Sequence, residues 1–305
     1  MWSPYPNSPI SYIEPLFRPP SEARSLIFQV TNGCSWNKCT YCDMYTQPQK
    51  QFSLKSDADI ETEIAWAGLH LREVRRVFLA DGDAMSLSAR RLLRILDLIR
   101  THLPTVERVS SYCSSFNLRG KSVAELRQLR EAGLKLIYMG AESGDDLVLE
   151  AIAKGDTHAG TVDALNRLGE AGIRRSVMII NGVGGRHYSE QHAVNSARLA
   201  NATQPEYLSS LVINHPHGEA RFRAGYEAHG GRYEKLSQPE LFRELRNFVA
   251  ALELEQTIFR SDHASNQLVL KGVLGKDKAA LLAQIDTAIE APQTAPLRPV
   301  WIRPF

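Results

Sequence analysis

Apolar positions along this chain follow two alternating periods. Short runs rich in Val, Ile, Leu and Phe predict strands over 25–31, 76–80, 106–112, 134–141, 174–181 and 207–213. Between them, apolar residues fall at spacings of three and four, which predicts helices over 60–71, 92–102, 123–132, 161–171 and 190–200. Gly133 and Gly172 each end a helical stretch just before a strand, the usual place for a C-terminal cap. The unit is therefore strand, helix, strand, repeated. Units of this length imply an α/β fold with parallel strands and right-handed crossovers. A partial (β/α)6 barrel is the preferred form and a doubly wound open sheet is its competitor. In both, chemistry sits at the carboxyl ends of the strands.

The flanks break the period. Residues 1–24 are rich in Pro, Ser and aromatics and are expected to form an irregular N-terminal arm. After them comes a barrel core over 25–235. From 236 to 305 a helical C-terminal extension packs on or closes the barrel, with helical patterns at 239–254 and 276–289. The segment FRSDHASNQLVLKG lies between those patterns and reads as a closing loop with a short strand.

Composition narrows the function. Hydrophobic residues at 43% and charged residues at 23% match an average globular chain, which can bury a large core. A formal charge of +2 indicates neither a nucleic-acid partner nor a membrane surface. No stretch approaches the ~20 apolar residues of a membrane span, and the opening lacks a secretory pattern, so a cytoplasmic location is expected. Of four cysteines, three fall in TNGCSWNKCTYCDMY as C-x4-C-x2-C, immediately after the first strand. That grouping fits a metal or redox role in a reducing compartment better than a disulfide framework. Thiolates suit zinc or an iron–sulfur cluster. Zinc would need a fourth ligand, from Cys113 or a histidine, whereas a cluster on three cysteines leaves one iron open.

This loop resembles the cluster loop of the radical S-adenosylmethionine (radical SAM) superfamily in a less common spacing, with Tyr41 at the family's aromatic position between the last two cysteines. The resemblance implies a partial TIM-type barrel and a 4Fe–4S cluster on Cys34, Cys39 and Cys42, with S-adenosylmethionine chelating the open iron. It further implies that Asp81, Gly82 and Asp83 of ADGDA receive the methionine amino group, where the common family form is Gly-Gly-Glu. YMGAESGDD resembles the branch related to coproporphyrinogen oxidases and the tRNA-modifying acetyltransferase-like proteins. There Glu142 and Ser143 would meet the ribose, although Ser143 or Asp145 also suits a helix N-cap. In INGVGGRH, Gly182 would let backbone approach the adenine, or would simply make a tight turn.

Cys113, His215, His217 and His263 are candidates for the substrate side, each with a plain structural alternative as a buried thiol or a loop hydrogen-bonding group. The function implied is an enzyme that reductively cleaves S-adenosylmethionine to a 5′-deoxyadenosyl radical, which takes hydrogen from a small-molecule substrate. An electron donor such as flavodoxin or ferredoxin would feed it. The alternatives are cleavage to a 3-amino-3-carboxypropyl radical, or a non-catalytic zinc or iron–sulfur binding module.

Overall fold

The computed structural model describes residues 5–215 and 217–299. The first four residues of the expected arm and the last six of the expected extension lie outside them. In chain order the elements are β1 (Leu26–Gln29), β2 (Thr31–Asn32), β3 (Ser53–Leu54), α1 (Asp57–His70), β4 (Arg76–Ala80), α2 (Ala89–His102), β5 (Arg108–Tyr112), α3 (Val123–Glu131), β6 (Leu134–Glu142), α4 (Asp146–Ala151) and α5 (His158–Glu170). They continue with β7 (Arg174–Asn181), α6 (Gly185–Thr203), β8 (Tyr207–Val212), α7 (Ala220–Ala228), α8 (Gln238–Ala251), β9 (Ile258–Arg260), β10 (Lys271–Val273) and α9 (Leu274–Glu290). The chain divides into two compact units. One holds residues up to 37, 44–139 and 166–175; the other holds 38–43, 140–165 and 176 onward.

In the first unit β1, β4, β5 and the start of β6 pair in that order, all parallel, with Ile27 opposite Phe78, Phe78 opposite Ser110 and Ser110 opposite Leu136. All four residues of β1 and the last four of β4 are buried. Continuous burial of this kind is what parallel strands covered on both faces require. Serines 56, 88 and 122 each accept a hydrogen bond from the backbone N–H three residues on, which fixes where α1, α2 and α3 begin. The buried residues of α2, Leu92, Ile95, Leu96 and Ile99, sit at the three and four spacing that the pattern showed. Gly133 takes φ of 120° after α3, a conformation a side chain would strain. β2 and β3 form a two-residue antiparallel ladder that no periodicity could announce.

In the second unit β7, β8 and β9 are parallel, and β10 runs antiparallel to β9. The expected closing loop therefore carries a short strand at each end, with the Ser261 N–H donating to Leu270 O across its base. Leu241, Phe242, Leu245, Phe248 and Val249 form the buried face of α8, and a capping box between Ser237 and Glu240 starts it. A cluster of Val148, Ile152, Ile180, Ile213, Phe222 and Tyr226 is buried together, with Tyr41 packed on it. Among the described residues no helix is long and apolar enough to cross a membrane.

Candidate functional site

The loop between β2 and β3 carries Cys34, Cys39 and Cys42, none of them in a disulfide and all half-buried. In the first unit its opening residues are tied to the turn after β4. Asp83, fully buried, accepts from the Ser35 backbone N–H at 3.1 Å and from the Ser35 hydroxyl. Burial pushes the Asp83 carboxyl up, while Ser35, Asn117 and the Lys121 charge oppose that rise. Asp81 is also fully buried, and its Oδ2 accepts from Lys50 Nζ, from Gln29 at 3.1 Å and from the Gly33 N–H at 3.3 Å. Lys50 is itself wholly buried and donates to Ile13 O at 2.8 Å. Burial pushes the Asp81 carboxyl up, and the Lys50 hydrogen bond and charge work against it. Between the two acids, a Cβ on Gly82 would lie 2.4 Å from the Tyr45 ring, so glycine is what lets the turn pass. The Asp81 side chain thus anchors the turn from within, and Asp83 links it to the loop.

The later half of the loop belongs to the second unit. There the Tyr41 hydroxyl donates to Glu142 Oε1 at 2.9 Å. Lys154 Nζ lies 3.3 Å from both Glu142 Oε1 and the Tyr41 oxygen, with its charge 5.9 Å from the centre of the Tyr41 ring. The Glu142 and Lys154 side chains are each 12% exposed. Burial pulls the Lys154 ammonium down, but Glu142 and Cys39 outweigh it and hold the group above the ordinary lysine range. Burial, Glu142 and the two neighbouring cysteines together push the Tyr41 hydroxyl well up, so it stays a donor. Glu142 ends β6 with φ of 65°, an uncommon conformation for a residue with a side chain. The Thr40 N–H donates to Ile152 O at 3.0 Å, and Arg221 of α7 donates to the carbonyls of Cys39 and Cys42 at 2.8 and 2.6 Å.

Other expected residues fall into framework positions. Ser143 is fully buried; its hydroxyl accepts from the Asp145 N–H at 3.0 Å and lies 2.8 Å from His192 Nδ1. Asp145, not Ser143, caps α4, accepting from the Val148 N–H at 3.1 Å. Both backbone polar groups of Gly182 are engaged: its N–H donates to the Glu244 carboxylate and its carbonyl accepts from the Tyr233 hydroxyl at 3.1 Å. A Cβ on Gly182 would sit 2.8 Å from Leu241, and its φ is 87°. Glu244 is buried beside His192, with Oε1 3.8 Å from the imidazole Nε2. Burial raises the Glu244 carboxyl to about 7 and lowers the His192 ring to about 4. Cys113 is 4% exposed and directs its thiol to Ser114 O at 3.2 Å. His215 packs on Phe222 at 4.5 Å with its ring lowered by burial, and His217 is exposed. His263 Nδ1 lies 2.8 Å from the Ser265 hydroxyl, and the Ser265 hydroxyl in turn accepts from the Val212 N–H at 3.0 Å.

The pattern of the sequence brought Tyr41 and Glu142 forward, and the structure joins them. It did not bring forward Lys50, Lys154, Arg221, His192 or Glu244. For Lys154 the one available signal is a lysine before a glycine, 12 positions after Glu142. Among the described residues no three His, Cys, Asp or Glu side chains gather as a metal-binding group. The donor set nonetheless fits an iron–sulfur cluster: three half-buried soft ligands in nine residues, with a protonated phenol and an ammonium beside two of them.

Parallel strand–helix repeats with a three-thiol loop after β2 place soft-ligand chemistry at a strand end, as in cofactor-dependent α/β enzymes. The model of the radical SAM superfamily matches residues 28–200, and the chain belongs to that family. It is 24% identical over 181 residues to the heme chaperone HemW of Bacillus subtilis, covering 57% of this chain and 47% of that protein, so it spans about half the length of that relative. Coproporphyrinogen III oxidase (HemN) from Escherichia coli, a radical SAM enzyme, superposes with a TM-score of 0.56 at 16% identity, over 74% of this chain and 51% of that one. Methylornithine synthase (PylB) does so at 0.51 and 15%, over 86% and 68%. These likenesses show the fold, the partial barrel that the strand–helix repeat predicts. Membership makes the chain an enzyme that works with a 4Fe–4S cluster and S-adenosylmethionine.

Proposed function

We propose that the protein generates a 5′-deoxyadenosyl radical and uses it to take a hydrogen atom from a small-molecule substrate. When bound, the cluster and S-adenosylmethionine supply a one-electron cleavage of a sulfur–carbon bond. The observation that carries the reading is the tie between the cysteine loop and the end of β6 through Tyr41, Glu142 and Lys154. In this reading Cys34, Cys39 and Cys42 are the cluster ligands. Tyr41 and Lys154 hold the Glu142 carboxylate in place, leaving Oε2 to accept from ribose hydroxyls, and Ser143 keeps the strand end rigid through His192. In the ADGDA turn, Oδ2 of Asp81 is engaged by Lys50 and Oδ2 of Asp83 by Ser35, while Oδ1 of each is buried without a hydrogen-bond partner among the described residues, and the ammonium of the cofactor is received at Asp81, Gly82 and Asp83. Gly182 shapes the adenine side by allowing a turn that a side chain would block. Cys113, His215, His217 and His263 remain the substrate-side candidates.

The segment 236–305 serves as a brace on the 25–235 core: Glu244 and Leu241 of α8 hold Gly182 and Asn181 at the end of β7. Residues 1–24 are the arm, which contributes the Ile13 carbonyl to Lys50. A flavodoxin or ferredoxin in the cytoplasm would supply the electron, a placement supported by the grouping of three cysteines in a cluster-type spacing. The test is anaerobic reconstitution with iron and sulfide, reduction in the presence of S-adenosylmethionine, and analysis of the nucleoside products. The reading expects 5′-deoxyadenosine, absent in Cys39→Ala. Methylthioadenosine would replace it with the 3-amino-3-carboxypropyl reading, and one zinc per chain without a cluster would overturn both.

A further inference from the structure

Arg221, near the start of α7, makes contacts that no role described so far requires. Its Nη1 donates to the Cys42 carbonyl at 2.6 Å and reaches Asp43 Oδ1 at 3.4 Å, while Nη2 donates to the Cys39 carbonyl at 2.8 Å. One guanidinium therefore spans the carbonyls of both cysteines of the C-x2-C pair. It closes a turn in which the Cys42 N–H donates to Cys39 O at 3.3 Å. α7 is shaped to lie against this loop: one turn further along, a Cβ on Gly225 would come within 2.6 Å of Thr40. From the other direction the Thr40 N–H is held by Ile152 O. The loop between the two cysteines is thus fixed by the carbonyl that follows α4 and by α7, and the charged group that grips its carbonyls is Arg221, partly balanced by Asp43.

We propose that Arg221 is a positioning residue for the cluster, seating the Cys39–Cys42 turn and easing reduction of the cluster with its permanent positive charge. The proposal rests on the cluster reading above. Reduction adds an electron to a group already negative through its thiolates, so a fixed cation stabilises the reduced form more than the oxidised one. A guanidinium suits this role because it does not deprotonate and because its planar fork grips two carbonyls at once, which a lysine ammonium on a single flexible stem does less well. The side chain is 39% exposed, so solvent screens part of the effect. An arginine that merely caps a surface turn would change the resistance of the loop to opening but leave the reduction potential where it was.

The experiment is a redox titration, followed by electron paramagnetic resonance, of the reconstituted protein and its Arg221→Gln and Arg221→Lys variants, with cluster loss to an iron chelator measured in parallel. Arg221→Gln is expected to have a more negative midpoint, with about tenfold less reduced cluster at a fixed potential, or about 59 mV for a one-electron couple. Arg221→Lys is expected to recover most of that shift while both variants lose iron faster than the native protein. A folded Arg221→Gln that takes up no cluster, beside an Arg221→Lys that does, upholds the seating role directly. Equal midpoints in all three proteins overturn the redox role, and equal chelator resistance overturns the seating. A native protein that takes up no 4Fe–4S cluster removes the parent reading instead, so the two failures are told apart.

Discussion

Two glycine-containing acidic segments at strand ends look alike on paper and behave differently in the fold. ADGDA after β4 buries both carboxylates completely, and Asp81 is locked to a lysine that is itself sealed from solvent. GAESG at the end of β6 also buries Glu142, but its side chain and that of its partner Lys154 each keep 12% exposure, and Glu142 has positive φ. The first is held from within, with a sealed cation on Asp81 and Ser35 on Asp83; the second takes both of its partners, Tyr41 and Lys154, on Oε1. Burial and the identity of the counter-charge, rather than the acidic letters, separate the two roles.

The sharpest way to break this contrast is to remove the lysines in turn. Lys50→Met leaves Asp81 buried without its cation and is expected to cost about 3–5 kcal/mol in urea unfolding. Lys154→Met, at a pair that keeps slight exposure, is expected to cost less, about 1–3 kcal/mol, yet to weaken S-adenosylmethionine binding about tenfold, read by equilibrium dialysis. Equal losses of stability in the two variants would erase the distinction. Gly82→Ala comes next: its methyl would meet the Tyr45 ring, for a loss of about 1–3 kcal/mol in the same unfolding measurement.

A smaller effect is tied to pH. Glu244, raised to about 7, makes folding less favourable as pH rises from about 4.5 to 7, because the folded form holds the proton longer. His192, lowered to about 4, acts in the opposite sense: stability is lost as pH falls from about 6.5 to 4. Over about 4.5–6.5 the two slopes nearly cancel in the native protein. Glu244→Gln should therefore show a melting temperature that rises with pH across that window, where the native protein stays nearly flat. The smallest effect expected is from Cys113→Ser, about 1 kcal/mol of stability with an unchanged iron content; lost iron would make Cys113 a ligand.

Periodicity located the six main strands and most helices because each carries several apolar residues facing one core. β2 and β3, two residues each, and α7, whose buried side is only Phe222, Gly225 and Tyr226, offer too few positions for a period to register. In the site, Tyr41 and Glu142 were legible because motif letters mark them. Lys50, Lys154 and Arg221 were not, since their importance comes from partners 31, 12 and up to 182 positions away. A lone basic residue in a turn reads as solvated surface until the fold brings it an acid or a carbonyl.

The grip of Glu244 on Gly182 also has a consequence for synthesis on the ribosome. The two residues stand 62 positions apart, so the turn after β7 is made before the carboxylate that holds it. At bacterial-to-eukaryotic elongation rates of ~5–20 residues per second, the nascent chain waits roughly 3–12 s with that turn unlatched. The carboxyl end of β7 is thus among the last parts of the newborn protein to set.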